Sequence, residues 1–230
     1  MGSATSKDSG SLLLYPGFKR LLDIVLALLG IVVLWPILLL VMVAIKLDSR
    51  GPVLFRQKRF GINRSYFQMF KFRTMKTDAP ADTPTHLMAN PLQHTTRVGR
   101  FLRQTSLDEL PQLLNILVGK MSVVGPRPAL WNQDDLIDER DKYGANAVRP
   151  GLTGWAQING RDELPIEVKA KLDGEYVEQM SLWMDVRCVV GTIAKVLSRD
   201  GVLEGGTGAS GISGAVAKDP SAKDEHSSGG

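Results

Sequence analysis

The run LLDIVLALLGIVVLWPILLLVMVAI, Leu21 to Ile45, constrains this chain more than any other stretch. At about 1.5 Å per residue, a helix of this length reaches across a bilayer core of roughly 30 Å. A secretory signal peptide fits poorly, because the apolar core is too long and no small-residue cleavage site follows it. Two features count against a straight spanning helix. Trp35-Pro36 falls near the middle, where the proline removes a backbone donor and clashes with the carbonyl of Val32. Both flanks are also basic, with Lys19 and Arg20 before and Lys46, Arg50 and Arg56 after, whereas a spanning helix separates its ends by charge. A helix that enters, breaks at Pro36 and returns to the same face satisfies both observations, with a kinked spanning helix as the alternative. Asp23, one turn inside, is expected to pair with Lys19 and Arg20 at the interface, since a lone ionised carboxylate deeper in lipid is costly.

The rest of a 230-residue chain can bury a core of ordinary size. Its net charge of +4 is unevenly spread. Between Ser49 and Thr77 there is no acid, against Arg50, Arg56, Lys58, Arg59, Arg64, Lys71, Arg73 and Lys76. Such a block suits an anionic partner or a merely solvated basic face, and composition does not choose. The single cysteine, Cys188, excludes an internal disulfide, fits a reducing compartment and lies in an apolar run as a buried small hydrophobe. The three histidines have no metal-ligand spacing.

The sequence VLFRQKRFGINRSYFQMFKFRTM, with turn signals at Gly51-Pro52 and Gly61-Ile62-Asn63, reads as short strands. Period-2 alternation puts Phe67, Met69, Lys71 and Arg73 on one face and Tyr66, Gln68, Phe70 and Phe72 on the other. Lys71 and Arg73 then project together, about 7 Å apart, as a phosphate clamp or an exposed basic face, with Phe70 and Phe72 as core. Interleaved bases and aromatics also suit single-stranded nucleic acid. Thr77 to Thr96 reads as a loop with a short helical turn.

In FLRQTSLDELPQLLNILVGKMSVVGPRP, Phe101 to Pro128, two carboxylates stand side by side. Ser106-Leu107-Asp108-Glu109 matches a capping box, in which Glu109 bonds back to the serine amide. Pro111 disfavours a helical Leu110, which moves the helix start to Pro111 and leaves the acids on the entering turn. Arg97, Arg100 and Arg103 precede the pair, and Pro126 and Pro128 stiffen the chain around Arg127. Carboxylates, fixed cations and a divalent metal are the ingredients of phosphoryl transfer. A carboxylate can also serve as the nucleophile.

Taken in order, GPVLFRQKRFG, KFRTM, FLRQTSLDELPQLLNILVGKMSVVGPRP and RPGLTGWAQINGR, behind a basic apolar N-terminus, resemble the bacterial sugar transferases known as monotopic phosphoglycosyl transferases. The resemblance runs from about Lys19 to Arg199 and is to the minimal form of that family. It implies an α+β protein: a re-entrant membrane helix broken at Pro36, then a compact helix-rich catalytic domain with short strands and interfacial amphipathic helices. It places the chain on the cytoplasmic face of the bacterial inner membrane, anchored through Lys19, Arg20, Trp35 and Pro36. The implied reaction moves a sugar phosphate from a UDP-sugar to a polyprenol phosphate such as undecaprenyl phosphate, the first membrane step of glycoconjugate biosynthesis. Asp108 matches the family's nucleophilic aspartate, displacing UMP to give a phosphosugar-enzyme intermediate, and Glu109, with Asp108, is associated with Mg2+. Arg127 matches a phosphate-binding residue, with Lys71, Arg73, Arg103 and Gln157 as supporting substrate contacts. Nearby arginines and the metal are expected to lower the pKa of Asp108.

The expected layout is a leader over 1–18, the membrane helix over 19–47, the catalytic domain over 48–200 and a flexible tail over 201–230. The tail is rich in Gly and Ser and has no aromatic residue. Trp155, Gln157 and Arg161 are candidates to line a pocket, with core or interfacial packing the alternative for Trp155. SLWMDVRCVVGTIAKVLS has helical apolar spacing, suiting a buried helix or one lying on the bilayer, with Asp185 and Arg187 pairing locally. Two other readings stay in view. A non-enzymatic membrane adaptor that binds anionic lipid explains the segment and the charge but not the carboxylates beside Arg127. A nucleic-acid binder is disfavoured by the membrane segment, so no nucleic-acid partner is expected. A homo-oligomer is compatible with the sequence.

Overall fold

The computed structural model describes residues 9–79, 91–160 and 164–198, with side chains described from Tyr15 onward and from Leu92 in the second stretch. The expected tail, Arg161 and the centre of the 77–96 loop lie outside the described residues. Helix α1, Ser9–Asp48, starts inside the stretch expected to be a leader and contains Pro16 and Pro36. No interruption of the helix marks Pro36. Only 11% of its most apolar window is buried in the protein, far too little for a core helix of a soluble domain.

What α1 does bury is one stripe. Ala27 and Ile31 pack on Phe67, Met69, Leu113, Ile116 and Met121. Leu38, Val41 and Ile45 pack on Phe72 and Leu102. These positions recur at helical spacing, and each fully buried large side chain contributes about 1.5–3 kcal/mol. The other faces leave Leu26, Leu29, Val33, Trp35 and Leu40 exposed. A chain with these surfaces associates with a membrane, since so long an apolar face has no protein cover.

The polar root of α1 pairs differently from expectation. Asp23 accepts from Ser122 Oγ at 3.0 Å and from the Val123 amide at 2.9 Å, not from Lys19 or Arg20. Lys19 Nζ donates to Asp185 Oδ2 at 2.5 Å, and Arg20 donates to the carbonyls of Ile116 and Leu117. A short polar side chain inside a helix is satisfied most readily by the free amides of an adjacent strand, and β3 (Ser122–Val124) supplies them.

Strands β1 (Leu54–Phe60) and β2 (Tyr66–Phe72) form an antiparallel hairpin in which Phe55 faces Lys71 and Arg56 faces Phe70. Its 3-10 turn, Ile62–Arg64, has positive φ at Asn63 and Arg64. The face carrying Lys71 is the one that carries the core residues Phe67 and Met69. Phe72 is core as expected, but Phe70 is only half-buried, beneath the Arg56 guanidinium at 5.7 Å. A short helix, α2 (Pro91–His94), leads to α3 (Arg97–Gln104). Helix α4 (Gln112–Leu117) precedes β3, which pairs in parallel with β4 (Gly151–Thr153).

The helices α5 (Asp134–Asp141), α6 (Trp155–Ile158), α7 (Ile166–Glu178) and α8 (Leu182–Ser198) complete the body. A buried Arg140–Asp173 pair, with Nη2 to Oδ2 at 2.6 Å, joins α5 to α7. Helix α7 continues through Gly174 because that glycine sits against Tyr143, where a Cβ would approach within 2.5 Å. In α8, Met184 and Cys188 are buried, while Leu182, Trp183, Val190, Ile193 and Leu197 are exposed along the opposite side. Asp185 does not pair with Arg187. It accepts from Lys19, from Tyr15 Oη at 2.8 Å and from Tyr176 Oη at 2.7 Å, while Arg187 lies over the Trp155 ring at 4.8 Å. Asp185 sits on the inward side of α8 near Met184 and Cys188, which aims it at α1 and α7.

Candidate active site

The site is assembled by three backbone devices. Thr96 caps α3 by accepting from the Gly99 amide at 2.9 Å, and Gly99 lets the helix lie against the Thr74 carbonyl. A Cβ at residue 99 would come within 1.9 Å of that oxygen, so only glycine permits the contact. The approach lets Arg103 Nε donate to Thr74 Oγ1 at 2.9 Å. Then the chain reverses at Ser106, whose φ of 56° is left-handed, and enters a 3-10 turn at Leu107–Glu109. Ser106 makes no side-chain cap bond, so the capping box does not form. Helix α4 starts after Pro111 and the two acids lie on the entering turn, although Leu110 is itself helical (φ −54°, ψ −34°), so Pro111 does not keep the residue before it out of the helical region as expected.

Second, Asn115 of α4 clamps β2. Its Oδ1 accepts from the Phe70 amide at 2.9 Å, and its Nδ2 donates to the Gln68 carbonyl at 2.8 Å. This fixes the strand so that Lys71 Nζ meets Glu109 Oε1 at 2.7 Å. Third, the β3–β4 pairing extends past the strand ends: Gly125 N donates to Thr153 O at 2.8 Å and Gly151 N to Pro126 O at 2.9 Å. With both neighbours proline, Arg127 is held so that Nη2 donates to Glu109 Oε1 at 3.1 Å.

Asp108, Glu109, Lys71 and Arg127 therefore converge, with Arg103 close enough to affect Asp108 electrostatically. The two carboxylates are not equivalent. Burial pushes the Asp108 carboxyl up to about 6 against the pull of Lys71; Glu109 adds to the rise, while Arg103 and Arg127 oppose it. The expected lowering is thus reversed within the protein itself, because burial outweighs the cations. Burial also opposes ionisation of Glu109, but Lys71 and Arg127, by charge and by hydrogen bond, hold it well below the usual carboxylate range. Burial lowers the Arg103 guanidinium, which Asp108 partly offsets. Among the described residues no hydrogen bond reaches the Asp108 carboxylate. The arrangement is one pinned anion, a cationic rim and one buried carboxylate with no hydrogen bond among the described residues.

Other candidates lie elsewhere. Arg73 is buried and donates to the carbonyls of Ser49 (2.8 Å) and Arg50, so it fastens the chain after α1 and does not join Lys71. Regular alternation ends with β2 at Phe72, which is why the two cations diverge. Gln157 Nε2 donates to the Leu152 carbonyl at 3.1 Å, away from the cluster's contacts. Trp155 packs among Tyr176, Met184 and Cys188, the core alternative, and its Nε1 donates to Glu175 at 3.2 Å. Lys19 and Arg20 hold α1 to the body, while Trp35 and Pro36 are exposed on its outer faces. The basic block is dispersed: Arg64 pairs with Asp138 and Asp141, Lys58 lies 4.0 Å from the Tyr66 ring, and Lys71 alone of the eight meets the acidic pair. Thr74, Asn115 and Asp185 hold the site or its frame in place, and the sequence motifs did not single them out for those roles. Gln112, 2% exposed and one turn beyond Asp108, keeps an unpartnered Nε2.

No group of three or more His, Cys, Asp or Glu side chains converges among the described residues, so a metal cage made wholly of protein is absent there. Mg2+ does not need one, since it binds through one or two carboxylates plus substrate phosphates. The Asp108–Glu109 pair fits that donor set.

A family model described as bacterial sugar transferase matches residues 14–199. The UDP-glucose:undecaprenyl-phosphate glucose-1-phosphate transferase of Xanthomonas campestris pv. campestris is 40% identical over 188 residues, covering 79% of this chain and 39% of that protein. The protein of the same name from Escherichia coli (strain K12) is 42% identical over 184 residues, covering 77% and 39%. The exopolysaccharide production protein PSS of Rhizobium leguminosarum bv. phaseoli is 40% identical over 193 residues, covering 79% and 96%. The chain thus spans about two fifths of the first two relatives and nearly all of the third.

Proposed function

The chain belongs to the bacterial sugar transferase family, and we propose that it transfers a sugar 1-phosphate from a UDP-sugar to a polyprenol phosphate at the membrane, releasing UMP. The observation that carries this reading is the geometry at Asp108: buried, without a hydrogen bond among the described residues, and beside a Glu109 already neutralised by two cations. The printed names of the relatives make UDP-glucose the first donor to test and undecaprenyl phosphate the first acceptor.

In the mechanism we propose, an Asp108 carboxylate oxygen attacks the sugar-bearing phosphorus of the donor. A P–O bond to Asp108 forms, the diphosphate P–O bond breaks and UMP leaves. A phosphate oxygen of the polyprenol phosphate then attacks the same phosphorus, breaking the acyl-phosphate bond and returning the carboxylate. Arg127 and Lys71 face the phosphates and offset the repulsion between anions, and Arg127 offers the planar fork suited to phosphate oxygens. Their hold on Glu109 keeps both cations in place before substrate arrives. Mg2+, held by Glu109 and Asp108 with the diphosphate, supplies further charge neutralisation when bound. Burial of Asp108 limits water near the acyl phosphate.

The packing of α1 supports a monotopic placement, and the cytoplasmic face follows from the family resemblance alone. Its root near Lys19 and its far part near Ile45 are both held by the same body. In this reading both parts lie on one side of the membrane; the helix runs unbroken through Pro36, so the break expected there has no support. The adaptor reading lacks support from the basic block, which is spread over separate contacts.

The test is UMP release from a panel of UDP-sugars with Mg2+, with and without polyprenol phosphate. Turnover that requires the lipid and is lost on removing Mg2+ is expected. Lipid binding without UMP from any donor would return the chain to the adaptor class.

A further inference from the structure

We infer that the groove between the C-terminal half of α1 and the start of β1 holds the isoprenoid chain of the acceptor. This deepens the transferase reading and rests on it. The groove, of about 600 Å3, is lined by Met42, Pro52, Val53, Leu54, Phe55 and Arg56. Five of the six are apolar, which suits a hydrocarbon and offers a polyanionic nucleotide little to bond. Met42 adjoins the exposed Leu39, Leu40 and Val43 of α1, so the groove is continuous with the face that meets lipid.

Its other end adjoins the chemistry. Phe55 is the cross-strand partner of Lys71, and directly opposed Cα atoms in such pairs lie about 4.5–5.5 Å apart. Lys71 Nζ in turn reaches Glu109 at 2.7 Å. An isoprenoid chain entering past Met42 thus carries its phosphate toward the rim of the Asp108 cluster. Arg56 projects with Phe70 to the other face of the hairpin, so the cation nearest the phosphate end of such a chain is Lys71.

The experiment places the native chain in phosphatidylcholine nanodiscs with a polyprenyl phosphate bearing a diazirine on its isoprenoid chain, and maps adducts by mass spectrometry. Adducts at Met42 and Pro52–Phe55 are expected, removed by excess unlabelled polyprenyl phosphate and far less by the unphosphorylated polyprenol. Adducts spread evenly over Leu29, Val33 and Leu40, or insensitive to competition, would mean bulk lipid contact and overturn the inference. In parallel, Met42→Gln and Phe55→Gln should each raise the acceptor KM about tenfold, the cost of losing about 1.4 kcal/mol of binding. The single burst of UMP without acceptor should stay intact, which also shows that the variants fold. An unchanged acceptor KM in both variants counts against the groove. Competed labelling in the groove with no UMP from native protein would uphold the groove and overturn the transferase reading instead.

Discussion

Two carboxylate clusters in this protein use similar groups to opposite ends. At the root of α1, Asp185 accepts from Lys19, Tyr15 and Tyr176, and Asp23 accepts from Ser122 and the Val123 amide. At the candidate site, Glu109 is paired twice, while Asp108 is buried with no hydrogen bond among the described residues and its pKa is raised to about 6. The first cluster spends its partners on holding a membrane helix to the body. The second surrounds a carboxylate with charge but leaves it open to react. The difference lies in what each carboxylate is left to do: Asp185 and Asp23 are fully engaged, and Asp108 is not.

The largest effect that separates them is catalytic. Asp108→Asn should lower UMP release by a factor of about a thousand or more, the scale of removing a nucleophile. The same change should leave the fold as stable as before or more so at pH 8. The folded pKa of about 6 lies above the ordinary value of 3.8, so the stability linked to Asp108 is fully present below 3.8 and lost as pH rises through 6. Denaturant titrations of both proteins at pH 4 and pH 8 check the sign, and a variant clearly less stable at pH 8 would erase the contrast.

Asp185→Asn should behave in the opposite way. It leaves the Lys19 ammonium, 8% exposed, without its carboxylate, at a cost of up to about 3–5 kcal/mol. The burst of UMP per folded molecule should change little. A stable but inactive variant would move Asp185 into the chemistry.

A smaller and sharper effect is in the pH profile. If ionised Asp108 attacks, the first step should fall about tenfold per pH unit below about 6. Lys71 lowers that pKa, so Lys71→Gln should move the acid limb to higher pH. A limb that stays in place would remove Lys71 from the electrostatics of the nucleophile. The smallest effect belongs to the outer face of α8. Trp183→Ser, at a position 70% exposed, should shift stability by no more than about 0.5 kcal/mol while weakening vesicle binding.

What the sequence made legible follows from range. Local signals held up. Helix α4 begins just after Pro111, the Gly61 region made the hairpin turn, and Arg127 sits between its two prolines against Glu109. The motif that joins Asp108, Glu109 and Arg127 was readable because its members share one stretch of chain. Long-range pairings were not. Asp23 and Asp185 looked set for Lys19 or Arg20 and for Arg187; Asp23 instead pairs about a hundred residues away, and Asp185 reaches Lys19 and Tyr15 farther still, with Tyr176 its one nearer partner among the described residues. Period-2 alternation placed Lys71 correctly, but it could not show that β2 stops at Phe72 and frees Arg73 to bind the backbone after α1. At Asp108 the arginines pull the pKa down as the sequence suggested, but burial outweighs them: cations are visible in a sequence, and burial is not.

The most direct measurement is the intact mass of the protein after incubation with UDP-glucose and Mg2+ without acceptor, followed by peptide mapping. The account predicts a gain of one hexose phosphate, lost on adding polyprenol phosphate, carried by the peptide containing Asp108 and absent from Asp108→Asn. Steady turnover with acceptor but no adduct under rapid quench would contradict it, and would replace the covalent intermediate with direct transfer between the two substrates.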